Sequence, residues 1–484
     1  MHRNVLKQIA YFFLYGALGA LAAVATLYAL HLQGLPGLKV WHTAHLDEEF
    51  RAQDAASVRS IAEYRALEDR LFRQLRQQVY ERVTEADRHR FNRYFSGSRS
   101  SPQQQAVDWN RTFELVAPDP RGGVLLLHGL SDSPYTVRAI AELLHARGYH
   151  VVGLRLPGHG TAPSALMRVS WKDMAAAVRL AARDLARRVG PDKSLDIVGY
   201  STGAALAVEY SLARLQGEEL PPVRKLVLIS PAIGVSPAAA LAVWQGRLAV
   251  LLGIPKLAWT DVMPEYDPYK YSSFPVNAGD QVYAITQVIA GRLAALGNAG
   301  AVSGLPRILA FQSVADATVS TPAVVDSFFR RLAPGGHELV LFDINRHADA
   351  EALYLPGIPE VSTDLLRGPA LPFDLSVLAN AGPDTDSVVV RRRSAGTDVQ
   401  RVEPNAMSWA PEVFSLSHVA LPFDSRDPVY GAERPEKSTL IYLGRPELRG
   451  ERGLLAVPPA TLMRLRHNPF FDYMRARIET FLDE

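Results

Sequence analysis

The chain has 484 residues, 48% hydrophobic and 21% charged, which fits a globular protein with a large core. Its 52 basic and 50 acidic side chains leave a net charge of +2, so nothing in the balance supports nucleic-acid binding. Cysteine is absent, which excludes disulfides, thiolate metal sites and a cysteine nucleophile and leaves the chain compatible with export.

The first element is apolar. "IAYFFLYGALGALAAVATLYAL", from Ile9 to Leu30, carries no charge and is long enough, at about 1.5 Å per residue, to cross a bilayer core. Arg3 and Lys7 precede it, and Asp47, Glu48 and Glu49 follow. The positive-inside rule then puts the N-terminus in the cytoplasm and the bulk of the chain on the outer side, periplasmic or extracellular. The reading adopted is an uncleaved anchor over 1–33. A signal peptide cleaved near Ala23-Val24-Ala25 is the alternative and would leave a secreted protein; a buried helix is the third reading.

Residues 34–105 read as a helical arm and linker. Ile61, Tyr64, Leu67, Leu71, Leu75 and Val79 recur at three- and four-residue steps, the stripe of a helix packed on a larger domain. "SGSRSSPQQQ" (Ser96 to Gln105) reads as a loop.

Residues 106–484 read as one α/β domain. "GGVLLLHG" (Gly122 to Gly129) is a buried strand, Val137, Ile140 and Leu144 line a helix ending at Gly148, and "HVVGLRL" (His150 to Leu156) is the next strand. Ser170 and Asp173 form a capping-box pattern before another helix; strands at Leu195 to Val198 and Val223 to Ser230 follow. Such alternation implies a parallel sheet covered on both faces. The rhythm lapses over about 237–304, read as a helical lid. Its Leu241, Trp244, Leu251, Leu252, Leu257 and Trp259 face the core or line a ligand pocket. Strands resume at Arg307 to Asp316 and His337 to His347. About 355–412 reads as an insertion with a strand at Ser387 to Arg392; Glu412 to Phe423 reads as one more strand, and a helix with Phe471, Met474, Ile478 and Phe481 on one face closes the chain.

Chemistry concentrates where "LDIVGYSTGAALAVEYS" passes from strand to helix. Gly199-x-Ser201-x-Gly203 in that context is the pattern of a nucleophile elbow: the turn is so sharp that side chains two residues away would strike backbone, and the hydroxyl stands at a helix N-terminus. In "LLLHGLSDSPY" the loop after the first central strand supplies a second main-chain donor. The Leu130 and Thr202 amides are therefore the expected oxyanion hole, and Gly129 permits the close approach. His128, on that oxyanion side, reads as structural rather than as the base.

Together, "LLLHGLSDSPY", "LRLPGHG" and "VGYSTG" resemble the α/β-hydrolase superfamily, near its bacterial carboxylesterases and monoacylglycerol lipases; the resemblance covers about Gly122 to Glu484. It implies a mostly parallel eight-stranded sheet with helices on both faces, a lid, and a Ser-Asp-His triad with no cofactor or metal. His159 in "PGHG" matches a structural loop. Asp316 in "FQSVADATVSTP" fits the acid, although Ser313 stands where the family has glycine. Ser417-His418-Val419, followed by Asp424, fits the base. His347, in "NRHADAE", is the alternative, and it has the more usual spacing from Asp316.

Those residues imply a serine esterase or lipase acting on a lipid-like ester such as a monoacylglycerol, a lysophospholipid or another acyl ester. Alternatives are an acyltransferase or thioesterase with the same triad, and an inactive hydrolase-like scaffold.

Overall fold

The computed structural model describes residues 2–34, 36–234, 255–297, 300–346, 357–358, 360–410, 413–436, 439–444 and 464–484. His347 and much of the expected lid (Leu241, Trp244, Leu251 and Leu252 with it) lie outside the described residues.

Twelve strands are described: β1 (Phe113–Leu115), β2 (Gly122–Leu127), β3 (His150–Leu154), β4 (Ser194–Tyr200), β5 (Lys225–Ile229), β6 (Trp259–Asp261), β7 (Phe274–Pro275), β8 (Arg307–Ser313), β9 (Glu338–Phe342), β10 (Asp374–Asn380), β11 (Ser387–Arg393) and β12 (Gln400–Ser408). Ten of them form one sheet in the order β1-β3-β2-β4-β5-β8-β9-β10-β11-β12, and β6 pairs with β7 in a separate hairpin. Pairing is parallel from β3 through β10; β1, β11 and β12 join antiparallel.

The central strands are apolar at nearly every position because both faces are covered. In β2, Leu125 and Leu127 face one core with the helices Trp171–Val189 and Thr202–Leu215. Val124 and Leu126 face the other with the helices Arg138–Ala146 and Phe471–Asp483. Ser170 caps the Trp171–Val189 helix. Its hydroxyl accepts from Asp173 N at 3.2 Å, and the Asp173 carboxylate accepts from Ser170 N at 2.8 Å.

Among the described residues the sheet has ten strands, not the expected eight. The segment read as an insertion supplies β10, β11 and β12 at one edge. Pro372 before β10 and Gly382-Pro383 after it end a strand rather than exclude one, and Leu375, Val377 and Leu378 are buried between neighbours. Conversely, no strand lies over the described residues of Glu412 to Phe423. Residues 413–417 carry no regular structure and His418–Ala420 is a single 3₁₀ turn. Leu416, Ala420 and Leu421 are apolar because they cap the second core, not because they alternate across a sheet.

The arm is part of this body. Ile61, Tyr64 and Leu67 of the helix Ile61–Gln78 pack into the first core; Leu71, Leu75 and Val79 join Trp41, Tyr94, Ala162 and Ala165. A buried clamp fastens it: the Arg155 guanidinium donates to both Glu49 oxygens (2.9 and 3.0 Å) and to Glu68 (2.8 Å). By contrast, the N-terminal helix His2–Gly34 leaves its described apolar side chains uncovered, Phe12 at 74% and Leu27 at 68% exposure. Its Lys7–Val24 stretch is long and apolar enough for a membrane span or a signal sequence.

Candidate active site

The chain runs from β2 outward to β3, then back past β2 to β4 and on through β5. The helix after β2 packs on one face and the helix after β4 on the other. The carboxyl ends of β2 and β4 are therefore the topological switch point, the place where ligands bind in open α/β sheets. Ser201 follows β4 immediately, and His128 to Ser133 follow β2.

Ser201 has φ 53° and ψ −115°, a strained conformation of order 1–3 kcal/mol for a residue with a β-carbon. The surroundings enforce it. Ser201 N donates to Ile229 O at 2.8 Å, and Ser201 O accepts from Ala205 N and Ala232 N, both at 3.1 Å. A β-carbon on Gly199 would stand 2.6 Å from Ala204 N, and one on Gly203 2.6 Å from His128 O.

The Ser201 hydroxyl lies 3.1 Å from His418 Nε2, and His418 Nδ1 lies 2.7 Å from Asp316 Oδ2. A carboxylate only accepts, so Nδ1 carries the proton and Nε2 is left to accept from the hydroxyl. All three residues are buried.

Asp316 sits in a dense donor set. Thr318 N and Val319 N each donate to Oδ1 at 2.8 Å; Ser230 Oγ (3.0 Å) and Gln312 Nε2 (3.2 Å) donate to Oδ2. Burial alone would raise its pKa. The His418 charge and hydrogen bond, with the Val319 and Thr318 amides, outweigh burial and hold the carboxyl below its ordinary value.

Sequence reasoning missed Ser230, Gln312 and Tyr200. Ser230 follows β5 with φ 43°, and its hydroxyl donates to Asp316. Tyr200 donates to His418 O at 3.2 Å, and its ring lies 5.2 Å from the imidazole. The only local signal was position, each residue standing at or just beyond the carboxyl end of a central strand.

His128 and His159 are spent on backbone. His128 Nε2 accepts from Leu156 N at 3.0 Å and its Nδ1 donates to Gly129 O at 2.8 Å. His159 Nδ1 donates to Pro157 O at 2.9 Å. Burial pushes His128 well below the usual imidazole range and His159 down to about 4. Thr202 follows Ser201 at the end of β4 and Leu130 lies in the loop after β2, and a β-carbon on Gly203 would stand 2.6 Å from His128 O in that loop. Among the described residues no group of three or more His, Asp or Glu side chains is arranged to hold a metal ion.

A mostly parallel sheet whose order reverses at β2, with a strained serine on the tight turn after β4, is the arrangement of the α/β-hydrolase fold. Residues 118–348 match the family model described as serine aminopeptidase, S33, and the chain resembles the lipases and esterases of the α/β-hydrolase superfamily. That stretch contains Ser201 and Asp316 and ends before His418.

The chain is 30% identical over 126 residues to the thermostable monoacylglycerol lipase of Bacillus sp. (strain H-257), 26% of this chain and 47% of that enzyme. It thus spans about half the length of this curated relative. Among solved structures it resembles one from work on LipS and LipT, two metagenome-derived lipolytic enzymes (23% identity, 50% of this chain and 90% of that one, TM-score 0.39). It also resembles the Paleococcus ferrophilus monoacylglycerol lipase (20% identity, 48% of this chain and 87% of that one, TM-score 0.36).

Proposed function

We propose that the chain is a serine hydrolase of carboxylic esters in which Ser201 is the nucleophile, His418 the general base and acid, and Asp316 the acid that orients the imidazole. One observation carries this reading: a strained serine hydroxyl 3.1 Å from an imidazole nitrogen whose partner nitrogen meets a buried carboxylate at 2.7 Å.

In the first half-reaction Ser201 Oγ bonds to the ester carbonyl carbon while its proton passes to His418 Nε2. The carbonyl oxygen becomes an oxyanion facing the Leu130 and Thr202 amides. The carbon–alkoxy bond then breaks, and the departing oxygen takes the proton from Nε2. Water repeats the sequence on the acyl-enzyme, releasing the carboxylic acid and restoring Ser201. Asp316 keeps the Nδ1 proton in place and stabilises the imidazolium without taking that proton.

The substrate is lipid-like: a monoacylglycerol, a lysophospholipid or another acyl ester. Support comes from the resemblance to a monoacylglycerol lipase and from the apolar N-terminal helix, which would hold the enzyme at a membrane with its catalytic body on the outer side. The test is hydrolysis of a panel by the full chain in vesicles: monoacylglycerols of increasing acyl length, a lysophospholipid, an acyl thioester and an aminoacyl arylamide. Turnover of the acyl esters, lost in Ser201→Ala, is the expected result. Preference for the arylamide would favour the peptidase chemistry named in the family description. Preference for the thioester, or acyl transfer to added alcohol, would favour a thioesterase or transferase.

A further inference from the structure

Beside the oxyanion loop lies a buried ion pair that the proposed reaction does not use. Asp132 is buried, and its Oδ1 meets Lys270 Nζ at 3.0 Å. The other carboxylate oxygen lies over Gly129, where a β-carbon would stand 2.6 Å from Asp132 Oδ2 and 2.9 Å from the Tyr200 ring. Tyr200 in turn holds the His418 carbonyl and flanks its ring. The carboxylate therefore packs on the loop that presents the Leu130 amide and lies near the imidazole.

Lys270 belongs to a strap, Glu265 to Ser273, bound to this loop twice: through the ion pair and through Tyr271 N, which donates to Ser131 O at 2.9 Å. Ser131 has φ 62°, so the loop is strained where the strap grips it. The strap is anchored to the arm as well. Arg93 donates to Lys270 O at 3.1 Å, and the Ser273 hydroxyl lies 2.9 Å from His42 Nε2.

We propose that Lys270 is a positioning residue for the oxyanion loop: its ammonium neutralises Asp132 and so keeps an uncompensated carboxylate away from the charge that develops at Ser201. This inference rests on the serine-hydrolase reading and extends it to a residue far along the chain. Removing Lys270 would act in two ways. The loop would lose one of its two ties to the strap, displacing the Leu130 amide, and a bare carboxylate would oppose the oxyanion. Such an effect falls on the transition state and therefore on kcat more than on KM.

It would also reach His418. The charged and titratable groups around that imidazole are Asp316, Asp132 and Tyr200; those around Asp132 are Lys270, Asp267, Tyr200 and His418. Burial raises the Asp132 carboxyl, and the Lys270 and His418 charges oppose that rise. Taking away the ammonium and baring the carboxylate both favour the imidazolium, so the acidic limb of the rate profile moves to higher pH.

The test compares wild type, Lys270→Met, Lys270→Arg and Lys270→Met/Asp132→Asn on a soluble short-chain ester, with pH profiles of kcat and kcat/KM and thermal melts of each. Lys270→Met should lower kcat by about 10–100-fold with KM changed less than threefold, and move the acidic limb upward. Lys270→Arg should recover most of the rate, and the double variant should return the limb to its wild-type position. An unmoved limb in folded Lys270→Met, a loss carried by KM, or no recovery with Lys270→Arg would overturn the proposal. A wild-type enzyme inactive on all esters and unlabelled at Ser201 removes the serine-hydrolase reading and this inference together. Active wild type beside an unaffected Lys270→Met removes this inference alone.

Discussion

Gly203 rests against His128: a β-carbon on Gly203 would stand 2.6 Å from the His128 carbonyl oxygen and would also strike that of Leu127. Both obstacles are backbone, at the end of β2, so neither yields as a flexible side chain would. The first turn of the Ser201 helix and the loop after β2 are therefore held at one separation. Gly203→Ala should lower kcat/KM for a good ester at least about 100-fold and destabilise the fold by about 1–3 kcal/mol. Steady-state kinetics with urea unfolding checks this; wild-type turnover in the variant would mean that the contact does not set the site.

Asp316 gives a prediction with a sign. Its folded pKa is depressed, so its stabilising contribution is complete above the ordinary carboxylate range and is lost as pH falls through the folded value. Asp316→Asn should cut kcat by about 10⁴-fold at neutral pH. Its stability deficit relative to wild type should shrink below about pH 4. Urea midpoints of both proteins from pH 7 to 3 test the second part, and a deficit constant with pH would contradict it.

Two buried histidines away from Ser201 should make the fold acid-sensitive earlier. Burial lowers His42 and His159 to about 4, whereas the same side chains titrate near 6.5 when unfolded. The unfolded chain therefore binds protons first. Stability is full above about pH 6.5 and falls as the pH drops toward 4. His42→Gln should make the pH dependence shallower over that window in urea titrations; an unchanged slope would show that His42 titrates normally.

The arm should be inseparable from the hydrolase body. Arg155 is fully buried between Glu49 and Glu68, and burial already raises the Glu68 carboxyl, against the pull of Arg155. Arg155→Met leaves two buried acids without their cation and should destabilise the protein by about 3–5 kcal/mol. Limited proteolysis should then cut first within residues 45–70. A variant of wild-type stability would mean that the clamp contributes nothing.

What local chemistry dictates was legible in the sequence. Gly199, Ser201 and Gly203 mark a strand-to-helix turn because only small residues fit there, and the Ser170–Asp173 cap is a pattern three residues apart. The stripe from Ile61 to Val79 marks a packed helix by its spacing alone. What distant chain segments decide was not legible. β10 was hidden in the stretch read as an insertion because its flanking prolines and glycines look the same whether they end a strand or fill a turn. Ser230 and Gln312 reach Asp316, and Lys270 reaches Asp132, only once the sheet and strap are assembled. The choice between His418 and His347 lies in the same class, since sequence spacing favours one and local motif the other.

Fluorophosphonate labelling followed by peptide mapping asks whether Ser201 is the nucleophile, with wild type compared against Ser201→Ala, His418→Ala and His347→Ala. One adduct is expected, on Ser201. Ser201→Ala should show none, His418→Ala should label at least about 10³-fold more slowly, and His347→Ala should label at the wild-type rate. An adduct on another residue, or full labelling of His418→Ala with none of His347→Ala, would contradict this assignment.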